Sequence, residues 1–288
     1  MNTSKPITEI INQRFSCRTY SKTPIDIPIL EQLEEFCTKT TTGPFGTKSR
    51  FDIVASRDGD SEILKGLGTY GFIQDPAGFI IGLSKETDKH LVDFGYLMEM
   101  IILYATDLGL GTCWLGGTFT RSRFAERVTP LEGEIIPAVT SIGYIGAKPR
   151  KLDARIRQAA NSDKRFPWNK LFFNSEVDIP LAEREAGKYK IPLEMVRLGP
   201  SASNKQPWRI IKDNKSWHFF LKRTPGYSDN PSAVKLSISD LQLTDMGIAM
   251  CHFELTSNEL GLDGYWEISD KLKTASQPEM EYIVTWCH

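Results

Sequence analysis

The chain has 288 residues, 40% hydrophobic and 25% charged, enough for one large domain or two small ones with a substantial core. Its net charge of −1 excludes a global electrostatic attraction to nucleic acid or to acidic lipid, so basic residues act locally if they act at all. Five dispersed cysteines without a Cys-x-x-Cys pair argue for a reducing cytosol rather than a disulfide framework, and four histidines without metal-ligand spacing argue against zinc.

Residues 1–6 lack the apolar core of a signal peptide, which again points to the cytoplasm. A short helix over 6–13 leads into Arg14-Phe15-Ser16-Cys17-Arg18-Thr19-Tyr20. Alternation along that extended stretch sends Arg14, Ser16 and Arg18 to one side. Two guanidiniums and a hydroxyl there suit a phosphate or an electron-rich ring edge. Taken alone, a solvated basic strand is the simpler reading. Ile29, Leu30, Leu33 and Phe36 mark one face of a helix over 28–37, and residues 51–55 alternate as a strand. Gly66-x-Gly68-x-x-Gly71 matches a dinucleotide-binding pattern, but it follows a helix-like segment at 61–67 and runs into Pro76. A phosphate-binding glycine loop needs a strand before it and a helix after it. It is set aside. Residues 78–83 read as a buried strand.

The strongest helix covers about 88–108, where Leu91, Phe94, Leu97, Met98, Ile101, Ile102, Ala105 and Leu108 recur every three or four residues and Gly109 stops it. Its apolar run at 98–105 is interrupted by Glu99 and is too short to span a bilayer. Next comes Gly109-Leu110-Gly111-Thr112-Cys113-Trp114-Leu115-Gly116-Gly117, whose glycines would let bare backbone N–H groups approach a planar ligand. A helix cap with a tight turn is the bland alternative. Residues 138–144 form another predicted strand. Lys148-Pro149-Arg150 reads as a basic linker, and 151–186, mixing charges with Pro167 and Pro180, as a connector.

Gly199-Pro200-Ser201-Ala202-Ser203-Asn204-Lys205-Gln206-Pro207-Trp208 is a loop of small polar side chains before a strand, well suited to bonding carbonyls and hydroxyls, though such loops are also plain turns. Residues 208–211 and 217–221 look like paired strands around the Asp213-Asn214-Lys215 turn. Ser228-Asp229-Asn230 and Ser232-x-x-Lys235 resemble β-lactamase elements, but in reversed order and without a following Lys-Thr-Gly, so they read as coincidence. A helix over 239–259 and a strand over 281–286 complete the chain.

The second half echoes the first. One ungapped shift of 152 positions aligns Asp245-x-Gly247 with Asp93-x-Gly95, Leu260-Gly261-Leu262 with Leu108-Gly109-Leu110, and Trp266 with Trp114. Leu193-Glu194 also matches Leu30-Glu31 at another offset. Two amphipathic helices with similar glycine caps would explain part of this; the shared order of helix, strand, long helix and strand favours duplication. The expected organisation is a first half at 1–150, a connector at 151–186 and a diverged second half at 187–288.

Pro-Ser-x-x-Asn-x-Gln-Pro-Trp at 200–208, Arg-x-Ser-x-Arg at 14–18 and Gly-Leu-Gly-Thr-x-Trp-x-Gly-Gly at 109–117 together resemble the nitroreductase superfamily over almost the whole chain, and within it a fused-protomer branch called putative TM nitroreductases. The resemblance implies an α+β fold of two halves related by an approximate twofold, each with a mixed, mainly antiparallel sheet packed by helices. It implies FMN between the halves. Arg14 and Ser16, with Lys148 and Arg150, would hold the phosphate and ribityl chain. Arg18 would face the pyrimidine edge, where a cation favours the charge gained on reduction. Backbone near Leu115, Gly116 and Gly117 would approach N5, with Trp114 beside it. Pro200, Ser201, Ala202, Ser203, Asn204 and Gln206 would reach in from the other half. Trp114 and Trp208 are expected to pack rather than to react.

The motifs are unevenly shared. With Phe51 aligned to Trp208, Pro44, Thr47 and Ser49 stand where Ser201, Asn204 and Gln206 stand, and Ile268 and Ser269 replace Gly116 and Gly117. A symmetric dimer makes two equivalent sites. One site here keeps its parts, so one flavin per chain is expected, in a monomer that mimics the family dimer. The implied chemistry is ping-pong: NAD(P)H gives hydride to FMN and departs, and an electrophilic small molecule such as a nitroaromatic or quinone follows. No nucleic acid or membrane partner is expected. A flavin-binding protein without turnover is the alternative, and oxygen-dependent flavin chemistry a third.

Overall fold

The computed structural model describes residues 1–57, 62–214, 216–227, 238–274 and 279–288; the Ser228–Asn230 and Ser232–Lys235 patterns and Lys215 of the predicted turn lie outside them. The first half holds α1 (Ile7–Gln13), α2 (Ile27–Lys39), β1 (Ser49–Ala55), β2 (Gly78–Lys85), α3 (His90–Asp107), β3 (Gly111–Leu115), α4 (Arg121–Val128), β4 (Glu134–Ile135) and β5 (Val139–Gly143). Then come α5 (Lys151–Ala159), β6 (Phe172–Asn174) and β7 (Glu176–Pro180). The second half follows with α6 (Lys190–Leu198), β8 (Trp208–Asp213), β9 (Ser216–Lys222), α7 (Leu241–Glu259), β10 (Tyr265–Glu267), α8 (Asp270–Thr274) and β11 (Met280–Cys287).

The two halves share one topology. The first sheet runs β1-β2-β5-β3, with β4 beside β2, and the second runs β10-β11-β9-β8-β6-β7. Without β4, β6 and β7, the two orders are the same: β1 answers to β8, β2 to β9, β5 to β11 and β3 to β10. All pairings in the first sheet are antiparallel. The second is mixed, because β6 lies parallel to β8 with Phe172 opposite Ile210. The fold is therefore α+β with two pseudo-twofold-related halves.

The helices α3 and α7 cross at the centre, and their shared Asp-x-Gly pattern explains how closely. A Cβ on Gly95 would lie 2.1 Å from the Thr244 carbonyl oxygen, and one on Gly247 would lie 1.9 Å from that of Val92. Only glycine lets two helix backbones meet there. Around the crossing, one continuous core joins both halves and includes Phe94, Met98, Ile101 and Ile102 of α3 with Met246, Met250 and Phe253 of α7. A second cluster, built on Phe79, Phe119 and Phe124, covers the opposite face of the first sheet. Both faces of β2 are thus buried, as its unbroken apolar run predicts.

Several segments differ from the sequence reading. Of the helix-like segment at 61–67, the described residues 62–67 give a 3-10 turn at Glu62–Leu64 rather than an α-helix. Gly109 caps α3 at φ +83°, but Gly111–Leu115 then pairs as β3 instead of turning. The connector region is structured, contributing α5 and a strand pair to the second sheet. Among the described residues, no helix is long and apolar enough to cross a membrane.

Candidate functional site

The N-terminal segment reaches its place by pairing. Beyond α1, Ser16 bridges in parallel to Thr112 of β3, and Cys17 N–H donates to the Thr112 carbonyl at 2.8 Å. That fixes Arg14, Ser16 and Arg18 along one wall of a cavity of about 450 Å³. Trp114, Leu115 and Thr118 continue the same wall, while Pro200, Ser201, Ser203 and Asn204 close the cavity from the second half. Residues from opposite ends of the chain therefore meet in one cleft.

Arg14 is the most constrained of these cations. Its side chain is 6% exposed, and its Nε lies 3.7 Å from Glu99 Oε1 and makes no hydrogen bond. The separation is an ion pair, too long for a hydrogen bond. Glu99 itself is fully buried and does more: Oε2 accepts from Trp114 Nε1 at 2.7 Å, and Oε1 lies 2.9 Å from His252 Nε2. The carbonyl of Met195, 2.8 Å from His252 Nδ1, can only accept, so Nδ1 donates. The contact to Glu99 then requires one proton between Nε2 and the carboxyl. This buried network ties α3 to α7 beneath the cavity. Sequence reading noted Glu99 only as a break in an apolar run; an ionisable residue inside such a helix must find partners, and that was the available signal.

The loop 200–206 is held under strain. Ser203, Asn204 and Gln206 all adopt left-handed φ, at 49°, 54° and 48°, which costs non-glycine residues energy and concentrates at functional sites. Ala202 N–H donates to Asp245 Oδ1 at 2.9 Å, and Asp245 Oδ2 has no partner. Its counterpart in the first half is better satisfied: Asp93 accepts from both Phe45 N–H and Thr47 N–H, at 2.9 and 2.8 Å. Burial pushes both carboxyls up, Asp245 well above the ordinary range. Asn204 is committed to the connector, donating to the carbonyls of Asn161 and Lys164 at 2.7 and 2.9 Å and accepting from Arg165 at 3.2 Å.

Not every predicted residue reaches the cavity wall. Gln206 is 2% exposed and braces the loop from beneath, taking Phe166 N–H on Oε1 and giving Nε2–H to the Asn204 carbonyl. Ala202 serves through its N–H to Asp245. Gly116 and Gly117 are not among the lining residues, and a Cβ at either would come within 2.5 Å of Leu241 or Ile238 of the second half. Lys148 is exposed and off the wall. Arg150 is also off the cavity wall. Its guanidinium binds Asp153 at 2.8 Å and the carbonyls of Gly71 and Phe72 at 2.9 and 2.8 Å, because it caps α5 and pins the 71–72 turn. Trp208 is a wholly buried core residue, as expected.

Two cations that sequence reading missed line the cavity instead, Arg157 and Arg165, together with Asp163. Arg165 donates to the carbonyls of Ser162 and Leu198, and its buried Nε has no partner. Desolvation pushes the Arg165 guanidinium down first, and the nearby Arg14, Arg197 and Arg157 push it further. Buried donors left unused beside a cavity fit an anionic, oxygen-rich ligand such as a flavin nucleotide. Cys113 also lines the wall, but burial pushes its thiol up, which suits packing rather than nucleophilic attack. Among the described residues, no cluster of His, Cys, Asp and Glu could hold a metal ion.

Comparison with known proteins agrees with this geometry. Among solved structures, the chain is similar to one described as a putative nitroreductase from Thermotoga maritima MSB8, at 18% identity and a TM-score of 0.62, covering 100% of this chain and 95% of that one. It is also similar to a nitroreductase family protein from Clostridium novyi NT, at 20% identity and a TM-score of 0.39 over 51% of this chain and 89% of the other. An FMN-dependent nitroreductase from Clostridium difficile R20291 matches at 17% identity and a TM-score of 0.38, over 49% and 88%. No curated protein sequence matches. The family model described as "Putative TM nitroreductase" matches residues 6–257, a span that takes in both walls of the cavity, and the chain belongs to that family.

Proposed function

We propose that the chain is an FMN-dependent oxidoreductase that passes hydride from NAD(P)H, by way of flavin N5, to an electrophilic small molecule of the nitroaromatic or quinone type. The observation that carries this reading is the single cleft with arginines from one half and a strained hydroxyl-and-amide loop from the other. Its volume, about 450 Å³, lies within the range of cofactor sites. When bound, the flavin supplies the two-electron chemistry.

The chain's own residues bind and orient. Arg18, joined to the Ser16 carbonyl at 3.4 Å, would stabilise negative charge gained by the ring on reduction. Trp114, fixed by its bond to Glu99, gives a rigid wall, and Leu115 excludes water beside it. Ser201 and Ser203 offer hydroxyl groups from the opposite side, and Asn204, bonded to the connector, holds their loop in place. No acid–base side chain is needed for hydride transfer itself, so positioning is the protein's main contribution.

The test is an anaerobic titration of FMN-loaded protein with NADH and with NADPH, followed through the visible absorption bands. Rapid bleaching, reversed by a quinone or nitroaromatic, is the expected result. A yellow protein that neither nucleotide reduces over minutes would be a passive flavin binder, and the enzymatic reading would fall.

A further inference from the structure

The cavity carries more positive charge than flavin-ring binding requires. Four guanidiniums line it, those of Arg14, Arg18, Arg157 and Arg165, against the carboxylate of Asp163, in a chain whose net charge is −1. Arg157 comes from the last turn of α5 and Arg165 from the turn beyond it. Three observations bear on what these two do. Arg14, whose side chain is 6% exposed, and Arg165 each keep an Nε that makes no hydrogen bond. Arg165 stands in the field of Arg14 and Arg157, which disfavours its own charge. Arg157, 35% exposed, has only Asp163 as an ion-pair partner among the described residues.

We propose that Arg157 and Arg165, with Arg14, form the phosphate-binding end of the cavity, in place of Lys148 and Arg150. The inference rests on the FMN reading. A phosphate monoester brings close to two negative charges and several acceptor oxygens, and guanidiniums bind it as forked donors. It relieves the mutual repulsion of the three cations. Arg150 cannot take this role without giving up the carbonyls of Gly71 and Phe72 and the carboxylate of Asp153. Asp163 is then a competitor: it holds Arg157 until phosphate arrives, and an ion pair this exposed is cheap to exchange.

FMN and riboflavin differ only by the phosphate, so their dissociation constants, measured by quenching of flavin fluorescence, isolate its recognition. Arg157→Ala should weaken FMN about tenfold and leave riboflavin unchanged. Arg165→Lys, which keeps the charge but not the fork, should also narrow the preference for FMN. Asp163→Asn should tighten FMN about threefold with riboflavin unaffected, a gain that misfolding cannot produce. Lys148→Ala should leave the ratio as it is. The inference is overturned if Arg157→Ala and Asp163→Asn both preserve the wild-type FMN-to-riboflavin ratio, or if Lys148→Ala collapses it. Wild-type protein that binds neither flavin would overturn the FMN reading and this assignment together.

Discussion

At the scale of single residues, the difference between a ligand-binding cation and a structural one lies in how many donors are already used. Arg150 looks functional in sequence because it sits in a basic triplet, yet its partners are all within the protein. Burial pushes the Asp153 carboxyl up, but bonds from Thr19 and Arg150 outweigh it and hold the group below its ordinary value of 3.8. Arg150→Ala is therefore expected to cost about 2 kcal/mol and lower Tm by about 5 °C at neutral pH, with flavin affinity of the folded protein little changed. A depressed carboxyl adds stability that is present above the ordinary value and lost as pH falls through the lower folded one, so the deficit should shrink at low pH. A variant that folds normally but loses flavin would return Arg150 to the site. Asp245 has the opposite sign. Its folded value is raised, so its contribution is favourable below 3.8 and is lost as pH rises. Asp245→Asn keeps the acceptor for Ala202 N–H and should improve in stability relative to wild type between pH 4 and pH 7, as read by denaturant unfolding at both. An equal effect at both values would mean the carboxyl is charged throughout. Arg14, Ser16 and Arg18 were legible in the sequence because alternation along an extended segment is local. Arg157 and Arg165 were not, since charges in a stretch without periodicity look like any solvated surface, and their meaning comes from a wall that only the fold assembles.

At the scale of elements, long periodic segments were read well. The helix expected over 88–108 is His90–Asp107, that over 239–259 is Leu241–Glu259, and the strands around 51–55, 78–83, 138–144 and 281–286 are all present. The misses share a cause. The strands β3, β6 and β10 are three to five residues long, too short for a period to register, and depend on a partner strand for their form. The helix α5 owes its start to Arg150 and Asp153, a capping arrangement with no hydroxyl or amide to signal it. In the glycine-rich stretch after α3, Leu241 and Ile238 leave no room for a Cβ at Gly116 and Gly117, a constraint set by the second half that sequence does not display. The helix crossing gives the sharpest prediction here. Gly247→Ala places a methyl against the Val92 carbonyl and should destabilise by about 3 kcal/mol, the upper range for overpacking, seen as a Tm lower by about 10 °C. A shift under about 2 °C would show that α3 and α7 can part at no cost.

At the scale of the whole molecule, duplication was visible because an Asp-x-Gly pattern, a Leu-Gly-Leu pattern and a tryptophan recur at one offset, and the matching strand orders give that recurrence a physical form. What the sequence could not show is how unequally the two loops are used. In the first half the loop at 43–47 is locked by two N–H bonds to Asp93, whereas the loop at 200–206 gives one to Asp245 and stays strained beside the cavity. On the proposed reading one composite site is kept while the corresponding loop of the first half is tied to Asp93, which makes one flavin per chain the central claim. It is tested most directly by titrating purified apoprotein with FMN and counting bound flavin per polypeptide. Saturation near one is the expected result; saturation near two would contradict it.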